Sequence, residues 1–263
     1  MNAHHHLEPI LQLILAIPFV FLIVIYKAAV IMSNRRYSRW PWYRTACWTI
    51  GNLFCLLAVA GPLAEAAHQD FRIHMVGHLL LGMAGPLLMV LSKPVSLLLR
   101  SIPIRNARRI TAVLRKKFFH ALMNPLLPAL LNIGGLWVLY KTDLFVLMHH
   151  SMWLYAIIHA HIFLAGYFFT ASIIYIDKTP YGYSFVYRAI ILILALAGHQ
   201  ILAKSLYAYP PDGVPITQAE AGSIIMYYGG DAVDLVIIII FCYQWYKADK
   251  PRKHHQTNTL EAK

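Results

Sequence analysis

The chain contains seven apolar stretches, each about long enough to cross the roughly 30 Å hydrocarbon core of a bilayer. Charged or Pro/Gly-rich breaks separate them, and they lie at 9–31, 45–64, 71–92, 121–140, 147–175, 188–208 and 220–246. With 59% hydrophobic and 13% charged residues, the chain is far more apolar than a soluble domain. The pattern predicts an all-α, polytopic membrane helix bundle with seven transmembrane helices.

The distribution of the net charge of +12 indicates membrane topology rather than binding to nucleic acid. Lysines and arginines cluster after the first, third and fifth stretches and in the C-terminal tail, whereas the alternate connections offer little more than Arg72, Lys141 and Lys204. Cytoplasmic loops of membrane proteins carry an excess of these cations. We therefore expect the N-terminus outside and the C-terminus in the cytoplasm.

The organisation predicted is a single seven-helix membrane domain over residues 1–263. Its longest connection, 93–120, carries eight cations and no acid, and within it cations alternate with apolar residues at near-helical spacing. This composition predicts a basic cytoplasmic loop containing a helix that lies on the anionic inner leaflet. Residues 247–263 are expected to form a cytoplasmic tail.

The third stretch carries His74 and His78, four residues apart, so that a helix would stack both imidazoles on one face. Because the intervening Met75–Gly77 lacks the glutamate of the HExxH motif, hydrolytic zinc chemistry is disfavoured. Ionisable side chains are costly within a membrane, which favours a functional role for the pair. Thioethers follow on the same stretch at Met83 and Met89, and thioether with imidazole suits copper.

Three further residues reach a comparable depth on other stretches: His159 in the fifth, His199 in the sixth and Asp231 in the seventh. We predict that they line one metal site together with the histidine pair of the third stretch. Asp231 would either bind the metal or hold a histidine ring in the required tautomer. Asp234, one helical turn further on, has Lys204 or a backbone group as its alternative partner.

The remaining histidines lie towards the predicted outer side. His149 and His150 fit either a surface position or the path by which a metal enters. His4–His6 fit either a weak metal-collecting tail or a remnant of an expression tag.

Other classes of protein also place histidines in membrane helices. A bis-histidine haem or quinone oxidoreductase would hold haem iron between facing helices. A copper permease would need ligands along its whole path, whereas these histidines crowd the outer half. A retinal-binding receptor or pump would need a lysine deep in the seventh stretch, where the sequence has none.

Four segments in order carry a resemblance to a known family. They are 74–88, with an HMxxH pattern followed by a Gly/Pro-bearing apolar run, then 159–166, Gly198–His199, and 222–231 ending in Tyr-Gly-Gly-Asp. In these segments the chain resembles the CtaG assembly factors of caa3-type cytochrome c oxidase, which are seven-helix membrane proteins implicated in supplying copper to the oxidase.

The resemblance implies a copper chaperone or assembly factor, not an enzyme, in a bacterial plasma membrane. Its cargo would be Cu(I) or Cu(II), and its partners would be oxidase subunits or another copper enzyme within the lipid bilayer. On this hypothesis copper is taken from the outer side, is held by His74, His78, His159 and His199 with Asp231 nearby, and passes laterally to a partner by ligand exchange.

Overall fold

A computed structural model describes residues 9–177 and 179–250, and this part of the chain is helical with no β-strand. The predicted all-α architecture is confirmed over these residues. His4–His6 and most of the predicted tail lie outside them. The helices are α1 Pro9–Arg36, α2 Trp42–Val59, α3 Pro62–Gln69, α4 Phe71–Leu91, α5 Pro94–Ser101, α6 Ile104–Leu114, α7 Lys117–Leu122, α8 Leu126–Lys141, α9 Leu144–His150, α10 Met152–Ile173, α11 Phe185–Ala208 and α12 Ile216–Asp249.

Five of these helices are long and apolar enough to cross a membrane, namely α1, α4, α10, α11 and α12. Two bent pairs, α2 with α3 and α8 with α9, pass the same test when each pair is counted as one span. The described chain therefore has five to seven candidate spans. The seven-span topology and its orientation stay predictions.

The two bends correct the boundaries that hydropathy suggested. The predicted stretch 45–64 is interrupted at Gly61. Its φ of +82° suits glycine, and the next residue is Pro62. As a result α2 and α3 are bent by 46° relative to each other. The predicted stretch 147–175 begins instead at Met152, because Ser151 caps a new helix by accepting a hydrogen bond from the Leu154 amide. His149 and His150 thus belong to the short helix α9, which is bent by 80° from α8.

Helix α4 is the central element of the bundle. It packs against α2, α3, α10 and α12. Of the 18 most apolar consecutive residues of α4, 61% are buried, compared with 22–50% of the corresponding residues in the other four long helices. Its first turn begins at Asp70, which accepts hydrogen bonds from the Arg72 backbone amide and guanidinium. The same guanidinium holds the pKa of the Asp70 carboxyl below its ordinary value. A capped, buried α4 is the frame on which the candidate site is built.

Two helices of the described chain contain a π-helical turn, Leu80–Ala84 in α4 and Leu130–Gly134 in α8. A π turn inserts one extra residue and often marks a functional region of a helix. Both turns contribute residues to the same small cavity, described below.

The end of the bundle formed by 93–120 and 174–184 is held by one carboxylate. Asp177 accepts hydrogen bonds from the backbone amides of Val95 and Ser96 at the start of α5, across 81 or more positions of sequence. Helix α6 in the same region has no buried residue, which fits a surface helix. Its predicted position on the inner leaflet stays a prediction.

Candidate metal centre

His74 and His78 lie one turn apart on α4 and are both buried, with 8% and 5% of their surface exposed. The Nε2 atom of His74 is 3.0 Å from the Tyr140 hydroxyl. The rings of Phe71 and Phe145 lie 5.9 and 5.2 Å from the His74 ring, centre to centre. Aromatic neighbours on three helices therefore fix the first imidazole.

His159 of α10 faces the same region. Its Nδ1 lies 2.9 Å from the Tyr155 carbonyl oxygen, and its ring stacks on the Tyr155 ring at 3.9 Å. Because a carbonyl oxygen can only accept a hydrogen bond, Nδ1 carries the proton and Nε2 keeps its lone pair. His159 lines a cavity of about 20 Å³ together with His74 and His78.

A second cavity of about 20 Å³ lies on the other side of His78 and includes His199 and Asp234. The rings of His78 and His199 are nearly parallel, at 22°, with their centres 6.2 Å apart. None of the four ring nitrogens of these two buried histidines has a hydrogen-bond partner within the described part of the chain. Buried polar atoms are normally paired, so these four nitrogens indicate a ligand site.

The spacing of the His78 and His199 rings fits coordination of one ion. A metal–nitrogen bond of about 2.0 Å, plus about 1.1 Å from nitrogen to ring centre, allows at most about 6.2 Å between two ring centres on one metal. The observed 6.2 Å equals that limit, so the two rings can share one ion only in a nearly linear N–metal–N arrangement. A cavity of about 20 Å³ is also large enough for one atom or one water molecule.

Glycines make room for these imidazoles. A Cβ atom at Gly230 of α12 would lie 2.5 Å from Cε1 of His199, and one at Gly82 would lie 3.4 Å from Cε1 of His78. Gly166 of α10 lies against the Gly82 backbone itself. The close approach of α4, α10 and α12 therefore depends on missing side chains, as is common in membrane helix packing.

The two acids of α12 have different surroundings. Asp231 is exposed and accepts a hydrogen bond from the Gln200 side chain, whereas Asp234 is 4% exposed and lines the cavity of His78 and His199. Lys204, an alternative partner for Asp234, lies over the Tyr227 ring instead. The structure thus brings Asp234 to the paired histidines, and a ligand role for Asp231 stays a prediction.

The predicted ligands do not form one compact cluster. Among residues 9–177 and 179–250, no group of three or more His, Cys, Asp and Glu side chains has the arrangement of a complete metal site. The histidines instead occupy two adjoining cavities that share His78. Of the methionines on α4, Met83 lines one cavity, whereas Met75 and Met89 are packed among neighbouring helices.

Several residues of the site were missed from the sequence. Tyr140 and Asn132 carried no signal, because hydropathy does not show which face of α8 meets α4. His68 of α3 was also missed. The sequence did contain a signal for His68: it lies two residues before Asp70, which caps α4, and on the short helix that follows the bend at Gly61.

Fold and site together define a helical protein with five to seven candidate membrane spans and buried imidazoles that line two adjoining small cavities. The chain belongs to the family of cytochrome c oxidase caa3 assembly factors, CtaG, whose family model matches residues 24–248. The resemblance drawn from the sequence is thereby confirmed.

The chain is also similar to uncharacterized mycobacterial proteins. It is 26% identical over 194 residues to proteins of Mycobacterium bovis and Mycobacterium tuberculosis, covering 71% of this chain and 29% of each relative. A Mycobacterium leprae protein is 23% identical over 245 residues, covering 85% of this chain and 37% of the relative. The chain thus spans only about a third of the length of these relatives. No solved structure matches it significantly.

Proposed function

We propose that this assembly factor holds a copper ion as cargo between His78 and His199 and delivers it to a caa3-type cytochrome c oxidase during maturation. The observation that carries the proposal is the pair of buried, nearly parallel imidazoles whose four nitrogens lack partners in the described chain. Imidazole suits copper, and the Met83 thioether in the same cavity favours Cu(I).

Adjoining imidazoles support a path for the ion. His78 lines both cavities, so a copper ion that reaches the lone pair of His159 needs only to exchange one imidazole for another to lie between His78 and His199. Asp234 in the second cavity supplies a negative charge or a hydrogen-bond acceptor for a ring N–H. Transfer is ligand exchange, with no covalent step, and the role is not enzymatic.

A haem-binding role fits the cavity less well. Two axial histidines of a haem have a similar spacing, but the porphyrin needs a pocket of several hundred Å³, whereas the cavity between these rings holds about 20 Å³. Purified protein is therefore expected to show no Soret absorption after incubation with haem.

The proposal is tested by measuring copper in two proteins. The double variant His78→Ala/His199→Ala is expected to lose the copper that wild-type protein retains through purification. Cells that carry it are expected to assemble a caa3 oxidase with less copper and correspondingly low activity. His120→Ala is the matched control, because this exposed histidine bonds Tyr183 far from the candidate centre.

Equal copper content in wild-type and double-variant protein would show that His78 and His199 do not form the site. A normal copper content of the oxidase in cells that carry the double variant would contradict delivery and favour a permease. A Soret band would favour the haem protein.

The same proposal includes a seven-span topology in the plasma membrane, with the histidine-rich end outside and 93–120 in the cytoplasm. Five apolar helices and two bent pairs support it. Reporter fusions at residue 110 and residue 212 are expected to give opposite locations, cytoplasmic and external respectively. The same location at both positions would contradict it.

A further inference from the structure

The two short helices α3 and α9 meet over the candidate centre. Both are the outer parts of bent pairs, and each brings one histidine to the meeting point, His68 from α3 and His149 from α9. The centres of these two rings are 4.7 Å apart. This is inside the limit of about 6.2 Å for two imidazoles on one ion, obtained from a metal–nitrogen bond of about 2.0 Å.

The tautomer of His149 favours metal binding. Its Nδ1 lies 2.8 Å from the Phe145 carbonyl oxygen, so Nδ1 donates the hydrogen bond and Nε2 keeps a lone pair. A backbone carbonyl that fixes the far nitrogen is the usual outer partner of a metal-binding histidine. The arrangement repeats that of His159 with the Tyr155 carbonyl.

The pair opens into a pocket of about 280 Å³, here named the mouth pocket, which is lined by both histidines together with His150, Asp70 and Asp212. No lysine or arginine of the described chain is among its lining residues, although Arg72 is ion-paired with Asp70 from outside the pocket, so the Asp212 carboxylate and the three imidazoles are the groups that favour a cation. Carboxylates lining a concave surface raise the local concentration of cations. The mouth pocket therefore suits a metal cation better than an anion.

A continuous series of rings leads inward from the pair. The His68 ring lies 5.8 Å from the Tyr155 ring, which stacks at 3.9 Å on His159, and His159 shares its cavity with His74 and His78. The Tyr155 ring thus lies between the histidine of the mouth pocket and the first buried cavity.

We propose that His68 and His149 form a separate copper-binding site in the mouth pocket, which receives the ion before it reaches the buried histidines. Its ability to bind copper stands on its own geometry, whereas its role as the receiving site rests on the proposed function. The bend between α2 and α3 and the bend between α8 and α9 bring the two short helices together at this site.

The test is the number of Cu(I) ions retained by the full chain in detergent, measured against a competing chelator under reducing conditions. Wild-type protein is expected to retain two ions. His68→Ala, His149→Ala and His149→Gln are each expected to retain one. His120→Ala, at the opposite end of the bundle, is expected to retain two. Glutamine keeps a polar side chain of moderate size, so His149→Gln guards against loss of folding.

The outcomes separate this inference from the proposed function. If the three mouth-pocket variants retain as much copper as wild-type protein, the mouth site does not exist, whatever the buried pair does. If they lose one ion while His78→Ala/His199→Ala loses none, the mouth site stands and the buried centre falls. One ion lost by each set of variants supports both.

Discussion

Replacing Gly166 by alanine is expected to force apart two helices that carry candidate ligands. An added Cβ on α10 would overlap the Gly82 carbonyl oxygen of α4 and lie 2.9 Å from its carbonyl carbon. Both atoms belong to the main chain, so neither can rotate away. The helices must therefore separate by about 1.5 Å before the new methyl group reaches an ordinary van der Waals distance.

This separation has two measurable effects. Overpacking of a tight contact costs about 1–3 kcal/mol of unfolding free energy. A displacement of about 1.5 Å of α4, which carries His78, also exceeds the roughly 0.5 Å within which binding groups must be held, and it moves His78 relative to His199 of α11. We expect Gly166→Ala to lower both the melting temperature in detergent and, by about tenfold or more, the Cu(I) affinity.

Gly134→Ala is the control. Apart from its chain neighbours and the backbone of its own helix, no described atom lies within 4 Å of a Cβ added there, and alanine is favoured over glycine within a helix by about 0.8–1 kcal/mol. Thermal unfolding and titration against a Cu(I) chelator measure both quantities for the two variants. If Gly166→Ala melts and binds copper like Gly134→Ala, the contact between α4 and α10 does not position the site.

Three further predictions follow from single contacts. Asp234→Asn is expected to weaken Cu(I) binding about 10–100-fold and Asp231→Asn to leave it nearly unchanged, because only Asp234 lines the cavity. If chelator titrations give the reverse order, Asp231 is the ligand. Gly230→Ala is expected to push the His199 ring aside and lower copper stoichiometry while the helical circular dichroism is preserved; unchanged stoichiometry would show that the ring is not a ligand. Asp177→Ala removes two hydrogen bonds to backbone amides and is expected to cost about 1–2 kcal/mol in thermal unfolding without changing copper binding; lost copper binding would contradict the independence of that end of the bundle.

Hydropathy was sufficient to predict the long helices, because membrane spans are defined by composition over about 20 residues. It could not predict the two bent pairs. Gly61, with its positive φ, and the cap at Ser151 interrupt apolar runs without lowering their average hydropathy. As a result, His149 was assigned to the wrong helix, although the residues that break the run were visible in the sequence.

Depth along a helix was a better guide for the histidines than for the acids. His78 and His199 were expected at similar depths, and their rings face each other in the structure. Asp231 and Asp234 also have similar depths, and three residues at about 100° each leave them only about 60° apart around α12, yet Asp231 is exposed and Asp234 is buried. Which face meets α4 and α11 depends on packing between helices, and a single sequence does not contain it.

The π turn at Leu80–Ala84 lies between two halves of α4 that contact different parts of the protein. Upstream of it, His74 and His78 point toward the cavities; downstream, Gly85 lies against Gly51 of α2. Because a π turn accommodates one extra residue, deleting one residue within it would restore a regular α-helix and leave both halves close to their present rotational phase, whereas a deletion elsewhere in α4 would rotate one half by about 100°. The turn therefore absorbs a change of helix length while the histidines and the contact with α2 keep their orientation.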